Sequence, residues 1–328
     1  MLKTLNSNKI GALFLAPFLA IMAFAYGYIV NVPPLVAFQE DGMPLWNYLV
    51  LFLSVHASLY IPLGFFVAIL IALLINKMTN KYLLFGKPTF LPAVLFIILC
   101  SGFIFIQNIN PVWVFALFFI LSLDNFFAAT LNENQAESCF NGAFLYSLGS
   151  LFYGKAILLA PVIWFIMIGL RSFNIRTFLA SILGFGLPFL FLFFVPIGFS
   201  EQKDLADLIL FNMFVPMKMI EYSIPFYVYT GILGAITLLA LVSVMGKYSS
   251  KKIATRNFFK IFIISVVFLF LLSLTRIFSV EIIPVVAIAA SFLMAHLFNN
   301  IKSPKISNLI FYLLLISTGL AQYYFVAH

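Results

Sequence analysis

RNFFKIFIISVVFLFLLSLTR, residues 256–276, holds fifteen consecutive uncharged residues between Lys260 and Arg276, and all but three of them are Phe, Ile, Leu or Val. Such a run reads as a helix crossing a membrane, where about 20 apolar residues span the hydrocarbon core. The reading extends to the whole chain. Of its 328 residues, 64% are hydrophobic and 9% charged, and 42 are Phe. Soluble domains run near half apolar and about a quarter charged. A cytosolic enzyme, a nucleic-acid binder and a disordered tail are excluded. Lipid leaves only helices or closed barrels able to satisfy the backbone, and the short alternating strands of a barrel are absent. The expected fold is therefore all-α and polytopic. Eleven spans are predicted, at about 10–30, 47–75, 89–106, 111–128, 139–153, 156–170, 177–197, 223–245, 258–275, 282–298 and 306–326, judged against ~20 residues per crossing.

Charge placement orients these spans. With the N-terminus in the cytoplasm and the C-terminus outside, fourteen Lys and Arg fall on the inner side. Lys155, Lys203, Lys218 and Arg276 fall on the outer side. That asymmetry follows the positive-inside rule. Seven of the ten acidic residues lie outside: Glu40, Asp41, Glu201, Asp204, Asp207, Glu221 and Glu281. The net charge of +8 thus faces the cytoplasm and anionic headgroups, and implies no nucleic acid. The expected location is a bacterial inner membrane.

Residues 139–170 are the critical part of this map. Phe140 to Tyr153 is short for a span, and Gly154-Lys155 interrupts a longer apolar stretch. A single crossing would turn nine later basic residues outward, so a hairpin is expected. Gly142, Ala143, Ser147, Gly149 and Ser150 would let neighbouring helices approach its short leg closely. The first span starts basic, and Ala23-Phe24-Ala25 resembles a cleavage site. Its apolar run continues to Val30, so a retained span is expected. The second span is overlong, and its start around Trp46, Tyr48 and His56 is expected to tilt or lie at the interface before Pro62 and Gly64. The outer segment 198–222 sets Leu205, Leu208, Ile209 and Phe211 against Lys203, Asp204 and Asp207, the pattern of an amphipathic helix on the outer leaflet. The chain is expected to be one integral membrane domain.

Several chemistries lack their residues. Cys100 and Cys139 lie in or beside apolar segments, which speaks against a disulfide scaffold. His56, His296 and His328 are too few and too scattered for a histidine-ligated iron centre. No CxxC, HExxH, GxxxxGK[ST] or GxGxxG motif is present. The spans carry almost no ionisable residue, which argues against a carboxylate proton relay. Asp124, near the inner end of the fourth span, reads as an interfacial carboxylate, with an ion or substrate site as the alternative.

The outer loops hold the candidate chemistry. Glu40 and Asp41 are adjacent, one short loop out from the membrane, where a carboxylate can act as general base or hold a divalent metal. They are also what solubility alone would place there. Arg276, five residues before Glu281, offers a guanidinium fork suited to a lipid phosphate, or a snorkelling anchor. Lys203 and Lys218 are further candidates for phosphate binding.

Two resemblances follow from particular residues. Asn110-Pro111, Phe140-Asn141-Gly142, Ser150-Leu151-Phe152-Tyr153 and Leu170-Arg171-Ser172-Phe173-Asn174-Ile175-Arg176 resemble an uncharacterised family of bacterial multi-pass inner-membrane proteins, which brings no known activity. The topology also resembles that of the GT-C glycosyltransferases, multi-pass enzymes with an acidic residue in the first outer loop that use polyprenyl-phosphate sugars. Glu40 and Asp41 stand where that pattern puts its carboxylate. The chain departs from the group in lacking a soluble outer domain and in having sparse outer loops.

The resemblance implies an enzyme of cell-envelope glycan assembly that transfers a sugar from a polyprenyl carrier at the outer face. Asp41 or Glu40 would activate the acceptor or hold a metal. Arg276, with Lys203 or Lys218, would neutralise the departing phosphate. The rivals are a transporter or flippase of a lipid or lipid-linked intermediate, and a non-enzymatic scaffold subunit of an envelope complex.

Overall fold

The structure, a computed structural model, describes residues 10–30, 42–131, 134–194, 202–214, 224–248, 253–273, 275 and 280–327. Among the described residues every regular element is a helix. The α-helices are α1 (Ile10–Val30), α2 (Pro44–Val55), α3 (Tyr60–Lys81), α4 (Leu91–Ser101), α5 (Pro111–Ala128), α6 (Gln135–Ser150), α7 (Pro161–Gly169), α8 (Ile175–Phe194), α9 (Gln202–Phe214), α10 (Ile224–Gly246), α11 (Ile253–Ser273), α12 (Ile283–Asn300) and α13 (Pro304–Ala327). Short 3₁₀ turns occupy 57–59, 104–106, 154–159 and 280–282. Prolines open α2, α5, α7 and α13, where the ring presets φ and the missing N–H has no partner to lose.

Among the described residues, seven helices are long and apolar enough to cross a membrane. The chain is a multi-pass membrane protein. Its outer surface agrees with that, because Ile175, Phe191, Leu239 and Val242 lie exposed on it. Polar groups are gathered at the ends and in a few buried clusters. At the centre stands α12, packed against α4, α5, α10 and α11. Its Ala287, Ala289, Ala290, Ser291 and Ala295 are all buried, and small residues let neighbouring backbones come close.

Several expected spans are divided more finely than the apolar runs indicated. The overlong second span is two helices: α2 stops at Val55, His56 takes a non-helical φ of −128°, and α3 begins at Tyr60 after a 3₁₀ turn. The third expected span, 89–106, contains α4, which ends at Ser101. All eleven residues of α4 are buried, and at 1.5 Å per residue it extends only about 17 Å. The chain then runs through the buried irregular segment 102–110 to Asn110, whose side chain caps α5 by accepting from the amides of Val112 and Trp113. Within 198–222, residues 202–214 form α9, which packs on the turn 154–159. Leu208 and Ile209 are half-buried, and Phe211 is exposed.

Residues 139–170 fold as a hairpin. Phe140 lies against Gly184, Ser147 Oγ donates to the Phe185 carbonyl at 2.6 Å, and Leu151 clusters with Leu192. Contact partners that rise together along both sequences mean that α6 and α8 run parallel, so the chain between them must return. It does so through the turn 154–159 and α7. α7 leaves by a Schellman turn. The amide of Ser172 bonds the Met167 carbonyl, that of Arg171 bonds the Ile168 carbonyl, and Arg171 occupies the left-handed position (φ 58°).

Side-chain contacts sort the loops into two ends. At one, Lys81 Nζ meets Asp124 Oδ1 at 2.8 Å, Phe127 stacks on Phe258 at 4.4 Å, and Lys247 Nζ donates to Asn300 Oδ1 at 3.0 Å. Burial, then the hydrogen bond and charge of Asp124, push the Tyr82 phenol well above its ordinary range, so it serves as a donor to that carboxylate. At the other end, Lys155 meets Glu281, and the Ile109 amide bonds the Tyr60 carbonyl at 2.9 Å. These two sets of loops are the same two that the charge pattern separates.

The α6–α8 contact gives a test. A Cβ at Gly184 would strike the backbone of Phe140, whereas one at Gly186 would meet nothing within 4 Å. Gly186→Ala should raise the melting temperature in detergent, because Ala is favoured over Gly in a helix by up to about 1 kcal/mol. Gly184→Ala should lower it, by overpacking worth about 1–3 kcal/mol. Equal shifts for the two would mean that α6 and α8 do not touch there.

Candidate functional site

The residues singled out in the outer loops lie almost wholly outside the described part of the chain. Glu40, Asp41, Lys218 and Arg276 are not among the described residues, and Lys203 opens α9 with its side chain outside them. The described residues contain no group of three or more His, Cys, Asp or Glu able to hold a metal. Cys100 and Cys139 are buried free thiols.

What the fold does bring together is a pair that the sequence places 126 residues apart. Glu281 stands in the 3₁₀ turn that leads into α12, and its side chain is only 1% exposed. Lys155 stands in the turn of the α6–α7 hairpin, 9% exposed. Glu281 Oε1 accepts from Lys155 Nζ and from the Tyr153 hydroxyl, both at 2.8 Å. Glu281 Oε2 is equally buried and has no hydrogen-bond partner among the described residues. Tyr146 fixes the turn from below, its hydroxyl donating to the Ala156 carbonyl at 2.9 Å. Gly154 fits because a side chain there would run into Asn212 of α9 and Met43 before α2. Those two elements thus close over the turn.

Removing two charges from water is costly, and a pair offsets that cost only when the remaining polar atoms are satisfied. Here one carboxylate oxygen is over-supplied and the other has none. An orphaned buried oxygen of this kind marks either stored strain or a place where something polar docks. The sequence carried a signal for it: a lone Lys in the middle of an apolar hairpin, following Tyr-Gly. Its partner could not be read, because Glu281 looked like one more soluble outer-loop carboxylate.

Beside Glu281 opens an apolar groove of about 530 Å³, lined by α10, α11 and α12. Ile282 and Ile283, the residues next to Glu281, form part of its wall. Leu238, Val267, Phe270 and Leu271, also in its wall, are exposed on the outer surface, so the groove opens laterally. The hydroxyls of Thr230 and Thr237, at its edge, donate to Phe226 and Leu233 carbonyls of their own helix at 2.9 and 2.7 Å. The groove suits a hydrocarbon chain.

Fold and site together define a helical multi-pass membrane protein with a buried ion pair beside a laterally open apolar groove. The chain matches no protein-family model, no curated protein and no solved structure. The two resemblances drawn from the sequence gain no support from these comparisons.

The ion pair can be tested by a double-mutant cycle. Lys155→Met and Glu281→Leu should each cost about 3–5 kcal/mol, since each leaves a buried charge alone. The double variant should regain most of that loss when unfolding is followed in mixed micelles. Strictly additive losses would mean that the two groups do not interact.

Proposed function

We propose that this protein acts on a lipid-linked anionic substrate, as an enzyme of cell-envelope glycan assembly that transfers a sugar from a polyprenyl-phosphate carrier. The single observation that supports the reading is the lateral groove whose wall includes Ile282 and Ile283, next to Glu281 in the chain. An isoprenoid chain would enter the groove from the bilayer, which leaves its phosphate at the end that carries Lys155 and Glu281. Transfer needs a base or metal ligand near the acceptor and a cation near the departing phosphate. In this reading Asp41 or Glu40 supplies the first, and Arg276, with Lys203 and Lys218, the second. Lys155, Glu281 and Tyr153 hold the floor on which they meet.

The same proposal places the chain in a bacterial inner membrane. It crosses eleven times, with the N-terminus in the cytoplasm and the C-terminus outside, as the basic asymmetry favours. The GT-C likeness belongs to this proposal as an analogy of topology. A second reading, a flippase for the lipid-linked intermediate, is favoured by one observation: α12 borders the groove near its first turn and a polar cavity at its last.

Three measurements test the proposal. Arg276→Ala, and one of Glu40→Ala and Asp41→Ala, should abolish the glycan product while the protein stays in the membrane; unchanged glycans in all three would rule out the transferase. Gly234→Phe, filling the groove at a position where a Cβ meets nothing within 4 Å, should lower product at least about tenfold under either reading. Reporter fusions after Lys305 and after His328 should report opposite sides of the membrane, and the same side for both would remove the last crossing.

A further inference from the structure

The end of the molecule opposite Lys155 contains a second cavity, of about 580 Å³, and nothing in the reading above uses it. It lies under the loop 82–87 that joins α3 to α4, between the start of α11 and the last turn of α12. We propose that this cavity is a binding site for a phosphate group, carried either by a lipid headgroup or by a soluble phosphate ester.

Four observations support it. First, the lining is polar where the rest of the protein is not: Lys87, Thr255, His296, Asn299 and Asn300 all border the space. His296 is only 2% exposed, and a buried imidazole in a chain this poor in polar groups marks function by default. The Asn300 amide lies 2.8–3.0 Å from its ring nitrogens and also bonds its carbonyl, so ring and amide form one rigid unit.

Second, the formal charge is of one sign. Lys87 belongs to the lining, and Lys247 reaches its edge through the 3.0 Å bond to Asn300. Arg256, next to Thr255, is held with its guanidinium over the Tyr248 ring at 5.7 Å. Among the described residues no Asp or Glu borders the space. Asp124, which reaches Tyr82 from behind, is taken up by Lys81 and the Tyr82 hydroxyl at 2.8 and 2.7 Å.

Third, α11 begins at the cavity, with Ala254 and Thr255 in the lining and no acidic residue in its first turn. The free amides of a helix start carry partial positive charge and favour an oxyanion. Fourth, the roof is stiff. Leu83 takes the left-handed position of a Schellman turn (φ 46°), and Gly86 follows at φ 71°. The turn's two backbone bonds, Leu84 N–H to Thr79 and Leu83 N–H to Asn80, fix the course of the loop over the cavity.

The inference does not depend on glycosyl transfer at the other end, and its test leaves that reading untouched. Purified protein in phosphatidylcholine nanodiscs is titrated with inorganic phosphate and with glycerol 3-phosphate at constant ionic strength. In parallel it is placed in nanodiscs doped with phosphatidic acid. Melting temperature and isothermal calorimetry are the readouts. Stabilisation by the soluble probes assigns a free phosphate ester; stabilisation by phosphatidic acid alone assigns a lipid headgroup; both outcomes support the site.

Lys87→Gln and Thr255→Val are the diagnostic variants, since Lys87 is exposed and neither contributes to the core. Lys87→Gln should weaken binding about tenfold, the loss of one charge-assisted hydrogen bond. Lys305→Gln, an exposed basic residue at the same end but away from the cavity, should leave it unchanged. No response to any probe overturns the proposal, and so does an equal loss in Lys305→Gln, which would reveal general attraction of anions to a basic face.

Discussion

No water reaches the middle of a bilayer, so each backbone amide there must find its partner within the chain. The segment 102–110, buried between α4 and α5 with only a 3₁₀ turn at 104–106, is the break in α-helix that most needs such partners. Neighbouring elements supply partners in and around it. The Ile109 amide bonds the Tyr60 carbonyl of α3, and Trp113 Nε1 donates to the Ile106 carbonyl at 2.6 Å. The side-chain amides of Gln107 and of Gln322, on α13, both donate to the carbonyls of Ser101 and Ala23. A break in a helix is tolerated at depth only when neighbours supply such partners. Here they tie α1, α3, α4 and α13 to one another, and the first and last helices are held through a residue near each.

With the backbone satisfied, charge becomes the second organising term. A chain with 9% charged residues can spare few of them for the interior. The two ion pairs resolved are divided between the two ends of the bundle and differ in character. Lys81–Asp124 is partly open to solvent and contributes little, as surface pairs do. Lys155–Glu281 is enclosed, and among the described residues one of its carboxylate oxygens has no partner. A pair built for stability alone would satisfy both oxygens or be replaced by apolar side chains of equal volume. That asymmetry is why the enclosed pair, and not the open one, anchors the functional reading.

The two cavities complement each other along α12. One is apolar, laterally open and next to a buried carboxylate; the other is polar, positively charged and roofed by the loop 82–87. Both use α12 as a wall because that helix is the most buried of the candidate spans, so any space between elements tends to border it. A chain embedded in lipid and provided with a hydrocarbon slot at one end and a phosphate-compatible space at the other is suited to amphiphilic ligands.

By itself, the sequence determined the class of fold, an all-helical membrane protein, and the place of several helices. Apolar runs such as 258–275 and 306–326 force helices on the backbone, and α11 and α13 stand where those runs lie. The hairpin at 139–170 was also legible, because a single crossing would have turned later basic residues to the wrong side. Helix ends were not legible where tertiary partners set them. Ser101 ends α4 because Gln107 and Gln322 take up its carbonyl, and His56 interrupts an apolar run that periodicity alone would continue. Above all, only the tertiary structure decided which charges are buried. Lys155 and Glu281 each look like ordinary loop residues, and their pairing depends on the way the α6–α7 turn meets the start of α12, a contact between segments more than a hundred residues apart that no local pattern encodes.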